Sequence, residues 1–412
     1  MNTSEHDRGI LRGLALRVAA IAAEPIQRER AGLIKSLNEL KPVRPVVLAF
    51  PEGGWNDLLP DSEMKCRDPL PRQWERALRM KIYQHEQIGS DVPVLDTFTV
   101  APVYVMGDFG VTVHWDRPAN RGAGKWDPPI KTRRDFEKLR WRQVGVDRAE
   151  TQRQVELAAG IFGDILKVRV SGQPYWTMGL TMDLIYLRGL EQVMLDIYDD
   201  PRLLHDLMAF LRDSRMRELD TFEREGLLHL NNGPEDYVGS GGLGYTDQLP
   251  QKDFDGKARV KDLWGLCESQ EFVGVGPEQF NEFALQYQLP VINRFGLVCY
   301  GCCEGLAQKV DLVKKHIPNL RRVSVSPWFD VETAARKLEN RYVFSWKPNP
   351  ALVCGPSVDW ANVQAVTRHT LEATRGCCVE MIMKDTHTFH GDKDRIRKWT
   401  EMCLRLAEEF RC

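Results

Sequence analysis

Residues 297–306 read LVCYGCCEGL. The first four are apolar or β-favouring and the run is short, which predicts a buried strand. Gly301 follows, and then Cys302, Cys303 and Glu304 arrive where the chain must turn. A lone thiol such as Cys299 packs as a small hydrophobe as readily as it does chemistry. Two adjacent thiols and a carboxylate at a strand exit suit a soft-metal or thiolate site, because zinc takes Cys, His and carboxylate ligands.

Outward from that corner the same unit recurs. Apolar runs at 322–326, 342–346 and 379–384 are separated by helix-sized intervals at 306–316, 331–340 and 358–373. Upstream, 46–50, 94–100, 165–170, 228–232 and 262–269 are further strand candidates. Helical spacing marks 71–87, 180–196, 200–225, 277–288 and 393–410. Strands alternating with helices predict an α/β fold with parallel strands, a (β/α)8 TIM barrel. Nine candidates exceed the eight strands of a barrel, and the weakest pattern, DLWGLCES at 262–269, is the expected surplus. Residues 1–44 read as an N-terminal helical extension broken at Pro25, and 45–412 as the barrel. Between 102 and 129, short alternating segments split by Gly-Asp, Asp-Arg-Pro and Gly-Ala-Gly predict an inserted β-hairpin excursion.

The 412 residues carry a net charge of −2 with Lys and Arg dispersed, so no nucleic-acid footprint is expected. No run approaches the roughly 20 apolar residues of a membrane span. The first residues are polar, and Arg12 and Arg17 interrupt the apolar stretch after them, which does not read as a secretory signal. Ten cysteines, with Cys302–Cys303 and Cys377–Cys378 adjacent, do not form a secreted disulfide pattern, and a reducing cytoplasm is the expected compartment.

In a barrel the C-terminal strand ends form one rim that carries the active site. Glu52, Asp96, Asn231, Asp236, Tyr237 and Glu268 are expected to share a cavity there with the Cys302 corner. Asn232, Trp328 and Lys347 also follow strand candidates. KDTHTF at 384–389 ends the last strand and places His387 as a metal ligand or acid/base. One zinc is expected, held by His387 with Cys302 or Cys303, and with Glu304 as a ligand or base. Such a metal activates water or polarises a leaving group. No HExxH, P-loop or nucleophile elbow occurs. GSGGLG at 239–244 has the letters of a dinucleotide fingerprint but leads into no helix, and is rejected as one.

Several longer stretches carry a resemblance: FPEGGWNDLLP (50–60), KWDPPIK (125–131), LRGLEQVMLDIYDDP (187–201), NNGPEDYVGSGGLGYTDQLP (231–250), DLWGLCESQE (262–271), CYGCCE (299–304), RRVSVSPW (321–328), KPNPA (347–351) and MKDTHT (383–388). From about residue 45 to the end the chain resembles the uroporphyrinogen decarboxylase superfamily, and within it a group labelled trimethylamine corrinoid protein. That resemblance implies a (β/α)8 barrel and either tetrapyrrole decarboxylation or corrinoid-linked methyl transfer. Decarboxylases of the superfamily carry arginines in RQAGRYLPEYR for substrate carboxylates; here PEGGWNDLLP stands in that place without an arginine. The coenzyme M branch carries a zinc His-x-Cys-Gly motif. With Gly301 aligned to its glycine, the ligand positions hold Val298 and Tyr300, so any metal must be held differently.

The expected function is therefore a corrinoid-dependent methyltransferase that demethylates a small O- or N-methylated compound. Asp236, Tyr237, Glu268, Glu304 and His387 are its catalytic candidates, and Asn231, Asn232, Trp328 and Lys347 face the cofactor. The chain lacks a DxHxxG cobalamin motif, because Asp385 to Gly391 is one residue too long, so a partner carrier protein brings the corrinoid. A homodimer is a possible assembly. Rim aromatics (Trp55, Trp176, Tyr237, Tyr245, Trp328, Trp346) suit an aryl ether or a quaternary ammonium. Two alternatives stand beside this reading: a lyase or decarboxylase whose substrate carboxylate meets Lys347, Lys384 or Arg169, and a non-catalytic corrinoid-binding accessory protein.

Overall fold

Continuous apolar runs become parallel strands here because both of their faces are covered. Six of them form one parallel sheet: β1 (Val46–Ala49), β4 (Trp264–Cys267), β5 (Leu297–Tyr300), β6 (Leu320–Val325), β7 (Val343–Trp346) and β8 (Cys378–Met383). Their order is β1–β8–β7–β6–β5–β4. β2 (Thr97–Val100) and β3 (Lys167–Val170) pair in parallel as a second sheet. The computed structural model describes residues 3–116 and 124–411.

Helices Val310–His316, Val331–Leu338 and Trp360–Ala373 connect β5 through β8, and Asp394–Glu409 returns to pack on β1. Asp330 and Asp359 cap two of them, accepting from Thr333 N (2.9 Å) and Asn362 N (3.0 Å). No helix among the described residues is long and apolar enough to cross a membrane.

The surplus strand is not the expected one. Residues 264–267 pair in register with 297–300, whereas 228–232 forms no strand. The cause is Asn231. Its carboxamide accepts from Trp264 N (2.9 Å) and donates to Trp264 O (3.0 Å), doing with one side chain what a neighbouring backbone does in a ladder. The helical stretch 180–196 is also two helices, Thr181–Arg188 and Leu190–Asp199, broken where Gly189 takes φ +89°.

The N-terminal extension is helical and built into the core. Helix Glu5–Ala22 places Leu11, Ala15 and Val18 against Trp74, Leu78, Phe98 and Phe162. Helix Pro25–Asn38 sets Ile34 and Leu37 against Val46, Leu48 and Ile382. In the excursion, His114–Asp116 pairs antiparallel with Lys125–Asp127, while the tip at 117–123 lies outside the described residues. Tyr104–Met106 pairs instead with Val144–Val146, so the excursion runs past its expected end at 129.

A charged layer lies inside the six-stranded sheet. Arg322 of β6 holds its Nε 2.8 Å from Glu380 Oε1 of β8, off the hydrogen-bond direction, and donates from Nη2 to Asn38 Oδ1 at 2.7 Å. Ser345, opposite Glu380 in register, donates to the same carboxylate. Loop 239–244 descends onto this layer, which explains its glycines. A Cβ on Gly239 would lie 2.8 Å from Cys299 Sγ, one on Gly241 2.8 Å from Ile382, and one on Gly242 would strike the Arg322 guanidinium. The letters of the dinucleotide fingerprint serve close packing here.

Candidate functional site

A cavity of about 820 Å³ opens at the exit of β3 and is bounded by 231–239 and β4. Its walls are aromatic (Phe50, Trp55, Tyr104, Trp176, Tyr237, Trp264). The sequence builds its polar side in two turns. After β3, SGQPYW carries Gln173 and Tyr175 onto the wall beside Arg169. In NNGPEDY, Asp236 Oδ2 accepts from Gly233 N at 2.7 Å, which fixes the turn and turns Oδ1 toward Arg169 Nη2 at 3.1 Å. Burial pushes the Asp236 carboxyl up against the downward pull of Arg169. Glu235 is fully occupied, receiving Lys81 Nζ (2.7 Å), Leu95 N (3.0 Å) and Thr97 Oγ1 (2.9 Å).

Tyr237 closes the cavity on one side. Its ring meets Phe50 edge-on at 5.3 Å; the residue as a whole is 42% exposed, and the desolvation of its phenol, reinforced by Glu52, pushes it up, so the hydroxyl keeps its proton at neutral pH. Beyond it lies the thiol corner. Cys302 Sγ and Cys303 Sγ are 3.5 Å apart, and Ser240 Oγ donates to Cys302 Sγ at 3.3 Å. The hydrogen bond from Cys303 lowers Cys302 to about 7 against the opposing effect of burial, with Ser240 and Lys384 adding to it. The same bond pushes Cys303 up. Lys384 Nζ donates to Asp385 Oδ1 (2.6 Å), and Asp385 N donates to Glu52 Oε2 (2.9 Å). Glu52 and Asp385 both sit in the left-handed region, at φ 49° and 56°. Such strain costs about 1–3 kcal/mol per residue and clusters at functional sites.

The expected site residues separate into groups. Asn231, Asp236 and Tyr237 line the cavity; Glu52, Asp96, Glu268 and the thiols are not on its wall. Asp96 pairs with Lys167 at 3.0 Å on the surface. Glu268 is buried, accepts from Gln270 N at 3.1 Å, and is pushed well up by burial and by Glu271 and Glu304. Glu304 spends both oxygens on backbone donors, Ser269 N (3.0 Å) and Cys302 N (2.7 Å), and so shapes the turn under the thiols. Asn232 donates to the carbonyls of Thr246 and Leu249, holding its loop together. Lys347 is buried, donates to Ser345 Oγ at 2.9 Å, and is lowered by burial to about 8. Trp328 is 72% exposed, and His387 is exposed with its backbone against Gly53.

Among the described residues no group of three or more His, Cys, Asp or Glu is arranged to hold a metal ion. Asp385 Oδ2 lies 3.8 Å from Cys303 Sγ, and its other oxygen is bonded to Lys384. Gln173 and Tyr175 are site residues that the residue pattern did not single out; their signal is a polar run directly after a strand. No protein-family model matches the chain, and no curated protein is similar to it.

Proposed function

We propose that the chain is a methyltransferase on a (β/α)8 barrel, taking a methyl group from a small O- or N-methylated compound and passing it to a corrinoid on a partner protein. Eight parallel strands in two sheets, alternating with helices, support the barrel. One observation carries the chemistry: an aromatic cavity of about 820 Å³ with the phenol of Tyr237 on its wall.

An ether or amine leaves poorly because its heteroatom takes on the bonding pair as the methyl departs. A positioned donor offsets that charge, and general-acid assistance contributes about 10²–10⁴-fold. Tyr237 O–H is the group that donates to the departing atom. The Asp236–Arg169 pair holds the turn that carries Tyr237. The aromatic walls hold the substrate by stacking or cation–π contact. The corrinoid, when its carrier docks, supplies the nucleophile that accepts the methyl group. No step is assigned to zinc, for which no group of three or more donors is found among the described residues.

The test is an anaerobic assay with cob(I)alamin and a panel of methoxyarenes and methylamines. Methylation of the cobalamin is expected from at least one of them, with Tyr237→Phe slower by about 10²-fold. Failure of every donor overturns the proposal. A lyase acting on a carboxylated substrate keeps one supporting observation, Arg169 Nε without a partner on the wall; release of carbon dioxide instead of methylation would select it.

A further inference from the structure

Two pairs of adjacent cysteines occur in the chain, and the fold treats them oppositely. Cys377 packs into the main core and Cys378 into the cluster around Val46 and Ile382, so their side chains lie in different layers. Cys302 and Cys303 instead face each other with 3.5 Å between sulfurs. The difference lies in the local backbone. Alternation along a strand would send successive side chains to opposite faces, but β5 ends at Tyr300, and Gly301 turns away from it at φ +91°. The turn is then clamped. Cys302 N donates to Glu304 Oε2 (2.7 Å), Ser324 Oγ donates to Cys302 O (2.6 Å) and Ser326 Oγ donates to Glu304 O (2.9 Å).

Access divides the roles of the two thiols. Cys303 is the one exposed cysteine among the described residues, while Cys302 is 3% exposed. A solute therefore meets Cys303 first, and Cys302 reacts with what Cys303 carries. Cys302 Sγ accepts from Ser240 Oγ at 3.3 Å. Ser240 lies in the turn of the hairpin that pairs Tyr237–Val238 with Gly242–Leu243. Thiol–disulfide exchange takes one attacking sulfur that is accessible and a second, in contact with it, that resolves the mixed disulfide. The pair supplies both.

We propose that Cys302–Cys303 is a redox-active dithiol that exchanges with a low-molecular-weight disulfide, and that its oxidation state is passed through Ser240 to the hairpin carrying Tyr237. Cys303, as its thiolate, attacks one sulfur of the small disulfide. That S–S bond breaks, one half leaves and takes up the proton that Cys303 gave up, and a mixed disulfide stays on the protein. Cys302 then attacks Cys303 Sγ, the second half leaves with the Cys302 proton, and the Cys302–Cys303 bond closes. Two protein thiols are oxidised, and the small disulfide is reduced to two thiols. Closure brings the sulfurs from 3.5 Å to about 2 Å and so shifts the acceptor that Ser240 holds. Adjacent Cα atoms are about 3.8 Å apart, short of the roughly 4.4–6.8 Å that disulfides usually span. The closed ring is therefore strained and readily reduced again, as suits a regulatory bond and not a structural one. Neither half of this depends on methyl transfer.

The test is peptide mass mapping of the full-length protein, first reduced and then incubated with glutathione disulfide. The peptide holding Cys302 and Cys303 is expected to lose two hydrogens and to keep no glutathione, and a reductant is expected to reverse the change. Cys302→Ser, which lacks the resolving thiol, is expected to keep glutathione on Cys303. Cys303→Ser is expected to leave Cys302 unmodified. Cys377 and Cys378 of the same molecule are expected to stay reduced, because their side chains lie in different layers. In hydrogen exchange, the amides of 237–243 are expected to exchange about fivefold faster in the oxidised protein, the equivalent of one lost hydrogen bond. A stable glutathione adduct on wild-type Cys303, an unreacted pair, or equal oxidation of Cys377 and Cys378 overturns the dithiol. Unchanged exchange at 237–243 in the oxidised protein overturns its link to Tyr237.

Discussion

Arg322 and Arg169 each rise from a parallel strand and each face a carboxylate, Glu380 and Asp236. Their surroundings differ in what is left over. Around Arg322, Nη1 reaches Cys299 Sγ at 3.6 Å, Nη2 reaches Asn38, Leu243 and Glu380, and Nε lies against the Glu380 carboxylate. Around Arg169, Nη2 takes Asp236 and Nε takes nothing, and two neighbouring side chains on the same wall also keep an idle atom. Both Nε atoms lack a hydrogen bond, but Arg322 Nε still lies 2.8 Å from a carboxylate, whereas Arg169 Nε shares its wall with two more buried atoms that have no partner.

That contrast can be broken at several points. Arg322→Met should have the largest effect, because it takes the guanidinium away from Glu380 in the sheet interior; a loss of about 3–5 kcal/mol in urea unfolding is expected. A loss below about 1 kcal/mol would make the inner layer no more structural than the cavity wall. Lys347→Met acts in the opposite direction. Burial lowers that ammonium from 10.5 to about 8, so the unfolded chain binds its proton more tightly than the folded one. Wild-type stability should therefore gain a contribution as pH rises from about 8 to 10.5, and the variant should lack it. At pH 7 the variant should be more stable by up to about 3 kcal/mol. Urea midpoints at pH 7 and pH 10 for both proteins give the difference.

Gly242→Ala drives a methyl group into the Arg322 guanidinium and should cost about 1–3 kcal/mol by overpacking, read as a lowered melting temperature. Tyr175→Phe should move stability least, within about 0.5 kcal/mol, because the hydroxyl it removes has no partner to lose. A large loss there would mean that the cavity wall is as tightly satisfied as the interior.

The parallel strands were legible because burial on both faces writes continuous apolar runs, as in VVLA at 46–49 and LVCY at 297–300. The mistake over 228–232 has a physical source. LLHLNN has the composition of a strand, but the decisive object is the Asn231 carboxamide, and its partner lies 33 residues away. The thiol corner was visible as a local pattern. What Glu304 does was not, because its oxygens are claimed by the backbone of residue 269 as well as its own turn. Arg322 and Glu380 were present as single charges inside RRVSVS and CVEMIM, a signal for a buried pair that only register across β7 joins. Idle atoms such as Arg169 Nε leave no mark on a sequence, since they are defined by what surrounds them.

The Asn38 side chain donates to the carbonyls of Leu243 and Tyr245 and accepts from Arg322, contacts that span 205, 207 and 284 positions along the chain. During synthesis this amide emerges 284 residues ahead of its last partner. Until then the N-terminal helices carry a polar group that belongs to an interior not yet made. Satisfying it requires a closure over distant segments, the kind of event that high contact order slows and that leaves apolar surface open to aggregation meanwhile.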